Sequence, residues 1–362
     1  MRPEVFQSRF ALVLVPFSHV YCALMRLRRR LWEGGLLRRF AAPCPCISVG
    51  NISWGGTGKT PVIDWLLSWA ERNYRQAVVL TRGYKGNPPY VPLVVRPQLS
   101  AAQSGDEPLM LALDHPVSVV LVDPNRRRAG RYALKNFTAS LFLLDDGFQH
   151  LGVQRDLDLV LLRPDDAREG WGRVIPAGTW REGETALTRA DAFLVKCGES
   201  EFSSLQPDLQ KRFAGFGKPL FAFSLEPKSL DPVRPRDDRH WYAPNITEPF
   251  PIGKPYALVS GVGNPDQVCS TITRFIGYPP VKHKVYPDHR KYTLQDALEL
   301  ENSGLPLVCT RKDAVKLREL HLSRLWALRV EVVFGQRLWS EKNFPEWIDA
   351  WWAKKKMSPE RT

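Results

Sequence analysis

The sequence predicts an α/β protein: an open, largely parallel sheet with helices on both sides, followed by a stretch in which the same alternation restarts. Three observations predict it. From residue 45 onward, short runs rich in Val and Leu recur without polar alternation, the pattern of strands buried on both faces of a parallel sheet. Helical stretches between them fit right-handed crossovers. A Pro-rich polar passage at 226–255 breaks the alternation and reads as a domain boundary.

Each element follows from its residues. The first-half strands are CISVGN (46–51), AVVLTRGY (77–84), VSVVLVDP (117–124), SLFLLDD (140–146), LDLVLLRP (157–164) and AFLVKCG (192–198). After the boundary, YALVSGVGNP (256–265) reads as strand and turn, and DQVCSTITRFIG (266–277) as a helix. GLPLVCTRKDAVKL (304–317) reads as strand, loop and helix start, and LRVEVVFG (328–335) as a late strand. The tail FPEWIDAWWAKKK (344–356) is an amphipathic helix whose Trp residues dock on a domain. The expected divisions are 1–40, 41–228, 229–335 and 336–362. A chain of 362 residues is too long for one comfortable core.

The net charge is +13, and residues 1–40 hold eight arginines against Glu4 and Glu33. Such a block suits nucleic acid, an anionic membrane or solubility alone. Its neighbour FALVLVPFSHVYCALM (10–25) is apolar almost all round. As a helix it would span roughly 24 Å at about 1.5 Å per residue. That is short of a bilayer core of about 30 Å. Pro16, Ser18 and His19 weaken a span further, and no small-residue cleavage site follows. The segment reads as a membrane-associated helix lying in one face, with Arg26 to Arg39 on anionic headgroups and no role for nucleic acid. The plainer reading is a buried first helix with a solvated basic turn. The six cysteines are scattered, and Cys44 and Cys46 lack a second pair at zinc spacing, so they read as reduced thiols.

NISWGGTGKTPVIDWLL (51–67) carries the chemistry. A strand precedes its glycines and a helix follows, which is the context of a phosphate-binding loop. Ser53, Trp54, Gly55, Gly56, Thr57 and Gly58 would turn backbone amides onto phosphate oxygens, backed by the helix dipole. Lys59 reaches the β and γ phosphates, and Thr60 offers a hydroxyl to Mg²⁺. The loop consensus wants glycine where this chain has Ser53. Farther on, an apolar strand ends in Asp145 and Asp146, the position of a carboxylate that holds Mg²⁺. The fold class is therefore a P-loop NTPase-type α/β/α sandwich, and the chemistry phosphoryl transfer. No guanine-specificity NKxD occurs, and TRKD (310–313) has the wrong order, which favours ATP.

At this point the chain resembles the tetraacyldisaccharide 4'-kinases, the lipid A 4'-kinases of Gram-negative bacteria. The matching pieces are SVGNISWGGTGKTP (48–61), TRGYKG (81–86), SGDEP (104–108), LLDDGFQH (143–150), IPAGTWRE (175–182), GVGNP (261–265), YPDHRKY (286–292) and TRKDAVKL (310–317). The resemblance implies ATP-dependent phosphorylation of the 4'-hydroxyl of a tetraacylated glucosamine disaccharide 1-phosphate, at the cytoplasmic face of the inner membrane. It implies a second, smaller α/β/α domain that closes on the nucleotide by hinge motion. It makes Asp106 the partner of His289, which acts as base on the sugar hydroxyl, and turns Arg126 toward phosphate. It places Gln149, His150 and Arg181 near the acceptor, Glu182 near Mg²⁺, and Lys312 and Asp313 near the nucleotide base. The chain departs from the family at Arg290, often a second histidine, and at TRKD, often TEKD. Two other classes fit stretches of the chain: a soluble P-loop kinase of a small metabolite, and a nucleotide-switched membrane adaptor.

Overall fold

The computed structural model describes residues 10–233, 248–288 and 290–356. In chain order the elements are α1 (Ala11–Glu33), β1 (Cys46–Asn51), α2 (Lys59–Arg72), β2 (Ala77–Thr81), β3 (Leu93–Val94), α3 (Ala101–Ser104), α4 (Asp106–Asp114) and β4 (Val119–Val122). Next come α5 (Arg126–Asn136), β5 (Leu141–Asp145), β6 (Leu157–Leu162), α6 (Pro164–Ala167), β7 (Ala192–Lys196), α7 (Glu199–Phe213) and β8 (Leu220–Pro232). The last are β9 (Ala257–Ser260), α8 (Pro265–Ile276), β10 (Lys282–Val285), α9 (Leu294–Glu301), β11 (Leu307–Thr310), α10 (Arg311–Leu317), β12 (Leu325–Leu338) and α11 (Phe344–Lys356). The fold class expected from the sequence is the one observed, and every expected strand forms.

The chain divides into two compact units, and not at the expected places. The first comprises Met1–Leu80, Asn125–Ser224 and Val332–Thr362; the second comprises Thr81–Pro124 and Leu225–Glu331. Residues 81–124, expected inside a continuous 41–228 domain, thus group with the second unit. Long-range ion pairs explain why. Lys316 of α10 lies 3.5 Å from Asp106 at the head of α4, and Arg311 pairs with Asp114 at its end. The Pro-rich passage also differs from expectation at its start: β8 continues through Pro232, while 234–247 lies outside the described residues.

In the first unit the strand order is β8, β7, β6, β1, β5, β2, and every pairing is parallel. β1, β2 and β6 are buried at every position, as their unbroken apolar runs require. β1 lies between β5 and β6, so the chain leaves it in one direction for β2 and later fills the other side. That reversal is where an open α/β sheet leaves a crevice beyond its strand ends. Helix α1 docks by one stripe. Ser18 Oγ donates to the Val174 carbonyl at 2.8 Å, and Tyr21 and Cys22 pack on the core around Trp180.

In the second unit β10, β9, β11 and β12 pair in parallel, and β3 and β4 pair antiparallel. Alternate residues of β9 and β11 enter different cores: Ala257, Val259 and Cys309 in one, Leu258 and Val308 in the other. Successive strand side chains point to opposite faces, so both faces are covered. All six cysteines are free thiols.

Helix α11 returns to the first unit, as its Trp-rich face suggests. Phe344 is fully buried, stacked on Phe334 at 4.3 Å and edge-on to Phe221 at 5.3 Å. Trp69 Nε1 donates to Asp349 at 2.8 Å, and the Arg75 guanidinium lies 4.3 and 4.2 Å from the Trp69 and Trp352 rings. Phe344→Ala should remove about 3–5 kcal/mol of stability, the usual cost of emptying a buried aromatic site. Denaturant unfolding followed by Trp fluorescence checks this, and an unchanged midpoint would mean α11 contributes little.

Candidate active site

The phosphate loop is built where β1 ends. Gly55 and Gly58 adopt φ of +108° and +88°, which side chains other than glycine rarely take. A Cβ on Gly58 would also lie 3.1 Å from the Phe223 ring. Among the described residues, the amides of Gly55, Gly56, Gly58 and Lys59 donate to no protein group. The Thr57 hydroxyl is buried without a partner. Unspent donors at a helix N-terminus are what a phosphate chain requires.

The departure at Ser53 has a structural answer. Its hydroxyl is fully buried and donates to Asp166 Oδ2 at 2.8 Å. Asp166 also accepts from Trp180 Nε1 at 2.9 Å and from the Arg163 amide at 2.8 Å. Burial pushes the Asp166 carboxyl above its usual value against the pull of these donors. The Ser53 side chain thus anchors the entrance of the loop expected to bind the nucleotide.

The expected lysine and acid do meet. Lys59 Nζ lies 3.5 Å from Asp146 Oδ1 and donates to Asn51 Oδ1 at 3.3 Å. Arg181 NH1 contacts both Asp146 oxygens at 2.8 Å and Gln149 Oε1 at 3.4 Å. Gln149 Nε2 in turn donates to the Asn51 carbonyl at 3.0 Å. Asp146 takes a left-handed φ of +52°, which turns the chain at the end of β5. Burial would raise its carboxyl, but the charges of Lys59, Arg181 and Arg126, with the Arg181 hydrogen bonds, hold it below the ordinary carboxylate value. Arg126 is buried and donates to the Asp145 carbonyl at 3.3 Å. Asn51 was not singled out from the sequence. Its place as the last residue of β1 before the glycines is the signal that could have found it.

Other expected site residues stand apart. Glu182 forms a two-pronged pair with Arg189, at 2.8 and 3.1 Å, and Arg189 lies 4.4 Å over the Phe148 ring. Among the described residues, no group of three or more His, Cys, Asp or Glu is placed to hold a metal by itself. His150 sits in the turn after β5, its amide donating to the Gly147 carbonyl at 2.8 Å.

In the second unit, Asp106 is the buried first residue of α4. Lys316 lies 3.5 Å from it and 3.4 Å from Asp313. His289 lies outside the described residues. Asp313, expected near the nucleotide base, is fully buried. It accepts from the Gly261 amide at 3.0 Å, Tyr292 at 2.9 Å and Thr310 at 2.7 Å. Its task is to fix the turn after β9. Lys312 lies 3.1 Å from Asp288. Arg290, at a family departure, pairs with Asp296 at 3.2 Å.

A family model for tetraacyldisaccharide-1-P 4'-kinase matches residues 10–351. The chain belongs to this family. It is 49% identical to the tetraacyldisaccharide 4'-kinase of Nitratidesulfovibrio vulgaris over 354 residues, 98% of each chain. It is 35% identical to that of Pseudomonas paraeruginosa over 340 residues, 93% of this chain and 92% of the relative. Among solved structures, LpxK from Aquifex aeolicus in complex with ATP matches with a TM-score of 0.74 and 26% identity. That match covers 97% of this chain and 99% of the other. The tetraacyldisaccharide 4'-kinase family is therefore shared along nearly the whole length, including both units.

The Asp146 cluster yields a pH prediction. A carboxyl with a lowered folded value stabilises fully above its unfolded value of about 3.9, and that contribution is lost as pH falls through the lowered folded value. Asp146→Asn should therefore lower the melting temperature at neutral pH, with the gap to wild type closing below about pH 4. A gap that stays constant on acidification would mean the carboxylate charge is not what holds Lys59 and Arg181.

Proposed function

We propose that this chain transfers the γ-phosphoryl group of ATP to the 4'-hydroxyl of a tetraacylated glucosamine disaccharide 1-phosphate, a step of lipid A biosynthesis. The observation that carries the proposal is the Lys59–Asp146 approach of 3.5 Å at the mouth of a loop whose Gly55, Gly56, Gly58 and Lys59 amides are unspent among the described residues, in a chain of the 4'-kinase family. The loop amides bind the phosphate chain. Lys59 and Arg181 stand where negative charge spreads on the migrating group, and such preorganised cations lower the barrier without reorganising. Arg126 adds positive charge to the same face.

The donor set also fits a hard divalent cation. Thr60 offers a hydroxyl, and Asp145 and Asp146 offer carboxylate oxygens, of which Asp146 is held ionised by its cationic neighbours. Mg²⁺, when bound with the triphosphate, neutralises charge on the phosphate oxygens. Asp106 and His289 are assigned to the acceptor hydroxyl: a carboxylate favours the imidazolium, raising the histidine pKa and strengthening it as a base. Gln149, His150 and Arg181 are assigned to orienting the acceptor.

The site of action is proposed to be the cytoplasmic face of the inner membrane. Val13, Phe17, Val20, Leu24, Leu27 and Leu31 are exposed on α1 and recur at steps of three and four residues, which is one helical face. Arg26, Arg28 and Arg30 are exposed beside it. Among the described residues, no helix is long and apolar enough to cross a membrane. This is the pattern of a helix lying in an anionic interface.

Two measurements test the reading. With purified tetraacyl disaccharide 1-phosphate in micelles, ADP production should require acceptor and Mg²⁺, and Lys59→Ala should lower turnover by about a hundredfold or more. Wild-type turnover in that variant would remove the loop from the chemistry. Anionic phospholipid vesicles should sediment the protein, and Phe17→Glu with Leu24→Glu should release it. Equal sedimentation of the two would remove α1 as the membrane face.

A further inference from the structure

Lys196 stands outside everything assigned above. It ends β7, and its register partner on β8 is Phe223. The two strands are locked there by a bond from the Cys197 amide to the Phe223 carbonyl at 3.0 Å. Both side chains reach the phosphate loop. A Cβ placed on Gly58 would lie 3.1 Å from the Phe223 ring and 3.6 Å from Lys196 Cδ. The stem of Lys196 thus lies against the last residue of the loop, next to Lys59. Phe223 is fully buried and acts as the wedge beneath. Lys196 is half-buried, and among the described residues it makes no hydrogen bond or ion pair. Burial alone, with no compensating anion, pulls its ammonium below the ordinary lysine value.

A half-buried cation without a partner, held rigidly beside a phosphate loop, is costly unless a ligand uses it. The strand order says which end of the ligand does so. Asp145 ends β5, on one side of β1, and Lys59 points at Asp146 just beyond it. Lys196 ends β7, two strands away on the other side of β1. With the terminal phosphates at Lys59 and Asp146, the side of β1 left for a ribose and base is that of β6 and β7. We propose that Lys196 is the contact for the base-and-ribose end of the nucleotide, its stem lying along Gly58 and its ammonium donating to an acceptor atom of the base or sugar. This rests on the nucleotide reading of the loop and adds the subsite that distinguishes a nucleoside triphosphate from a bare polyphosphate.

The test compares two probes on full-length wild type, Lys196→Met and Lys196→Arg. Methionine keeps the stem and removes the charge. Lys196→Met should raise the KM for ATP by about ten- to a hundredfold with kcat nearly unchanged, since a charge-assisted hydrogen bond made equally in ground and transition states is lost. Inhibition by inorganic tripolyphosphate should be the same in both proteins. Lys196→Arg should recover some of the ATP affinity. An unchanged KM for ATP in Lys196→Met overturns the proposal. Equal weakening of ATP and tripolyphosphate overturns it too, because the ammonium would then be serving phosphate. If wild-type turnover shows no saturable dependence on ATP, the nucleotide reading of the loop falls first, and this inference with it.

Discussion

The site depends on a single carboxylate shared by several cations. Asp146 faces Lys59 from one side and Arg181 from another, with Arg126 contributing charge nearby. Lys59 and Arg181 meet on Asp146 at the end of the sheet where, among the described residues, the amides of Gly55, Gly56, Gly58 and Lys59 donate to no protein group. Such a face attracts a polyphosphate before any specific bond forms. Lys59, Arg181 and Arg126 also hold the Asp146 carboxyl below its ordinary value, which keeps it ionised. Remove the carboxylate and Lys59 and Arg181 repel each other; remove the cations and burial turns the acid neutral.

That balance needs a rigid backing, and the chain supplies it from a distance. Asp166, from α6, binds Ser53 at the loop entrance and Trp180 beside Arg181. The same buried carboxylate therefore positions both the loop and the strip that carries the arginine. A glycine at 53 would free the loop from this anchor, which is a physical reason for the consensus departure. Glu182, the residue after Arg181, acts in a similar way. Its pair with Arg189, laid over Phe148, ties that strip to the turn after β5. Paired and buried, each of these carboxylates would be expensive to strip of its partner.

Much of this was legible in the residues, and the reasons are local. Unbroken Val and Leu runs give buried parallel strands, and a glycine cluster between strand and helix gives an anion loop. What was missed is nonlocal. The polar half of β8 and the KHKV of β10 carry no apolar pattern, so pairing alone makes them strands. Residues 81–124 look like any other stretch of the first sheet; the ion pairs of Asp106, Glu107 and Asp114 with α10 show where they belong. The Ser53–Asp166 bond spans more than a hundred residues, and no spacing rule reaches it. Lys196 reads as the polar end of a strand until Gly58 is seen beside it.

Helix α1 carries two unlike faces, one docked on the core and one exposed and apolar. Its inward stripe spends polar groups carefully: Ser18 bonds the Val174 carbonyl and accepts from the Ala177 amide, and Arg29 bonds the Thr185 carbonyl. Those bonds fix the roll of the helix, so the outward face cannot turn inward to escape water. Fully burying a Val, Leu or Phe side chain is worth about 1.5–3 kcal/mol. Several of them on one face exceed what a small exposed patch contributes by chance, and each arginine near an anionic surface adds about 1 kcal/mol. Under the proposed membrane reading, that sum suits reversible residence in an interface rather than permanent insertion, the regime that an acceptor with four acyl chains and a water-borne ATP would require.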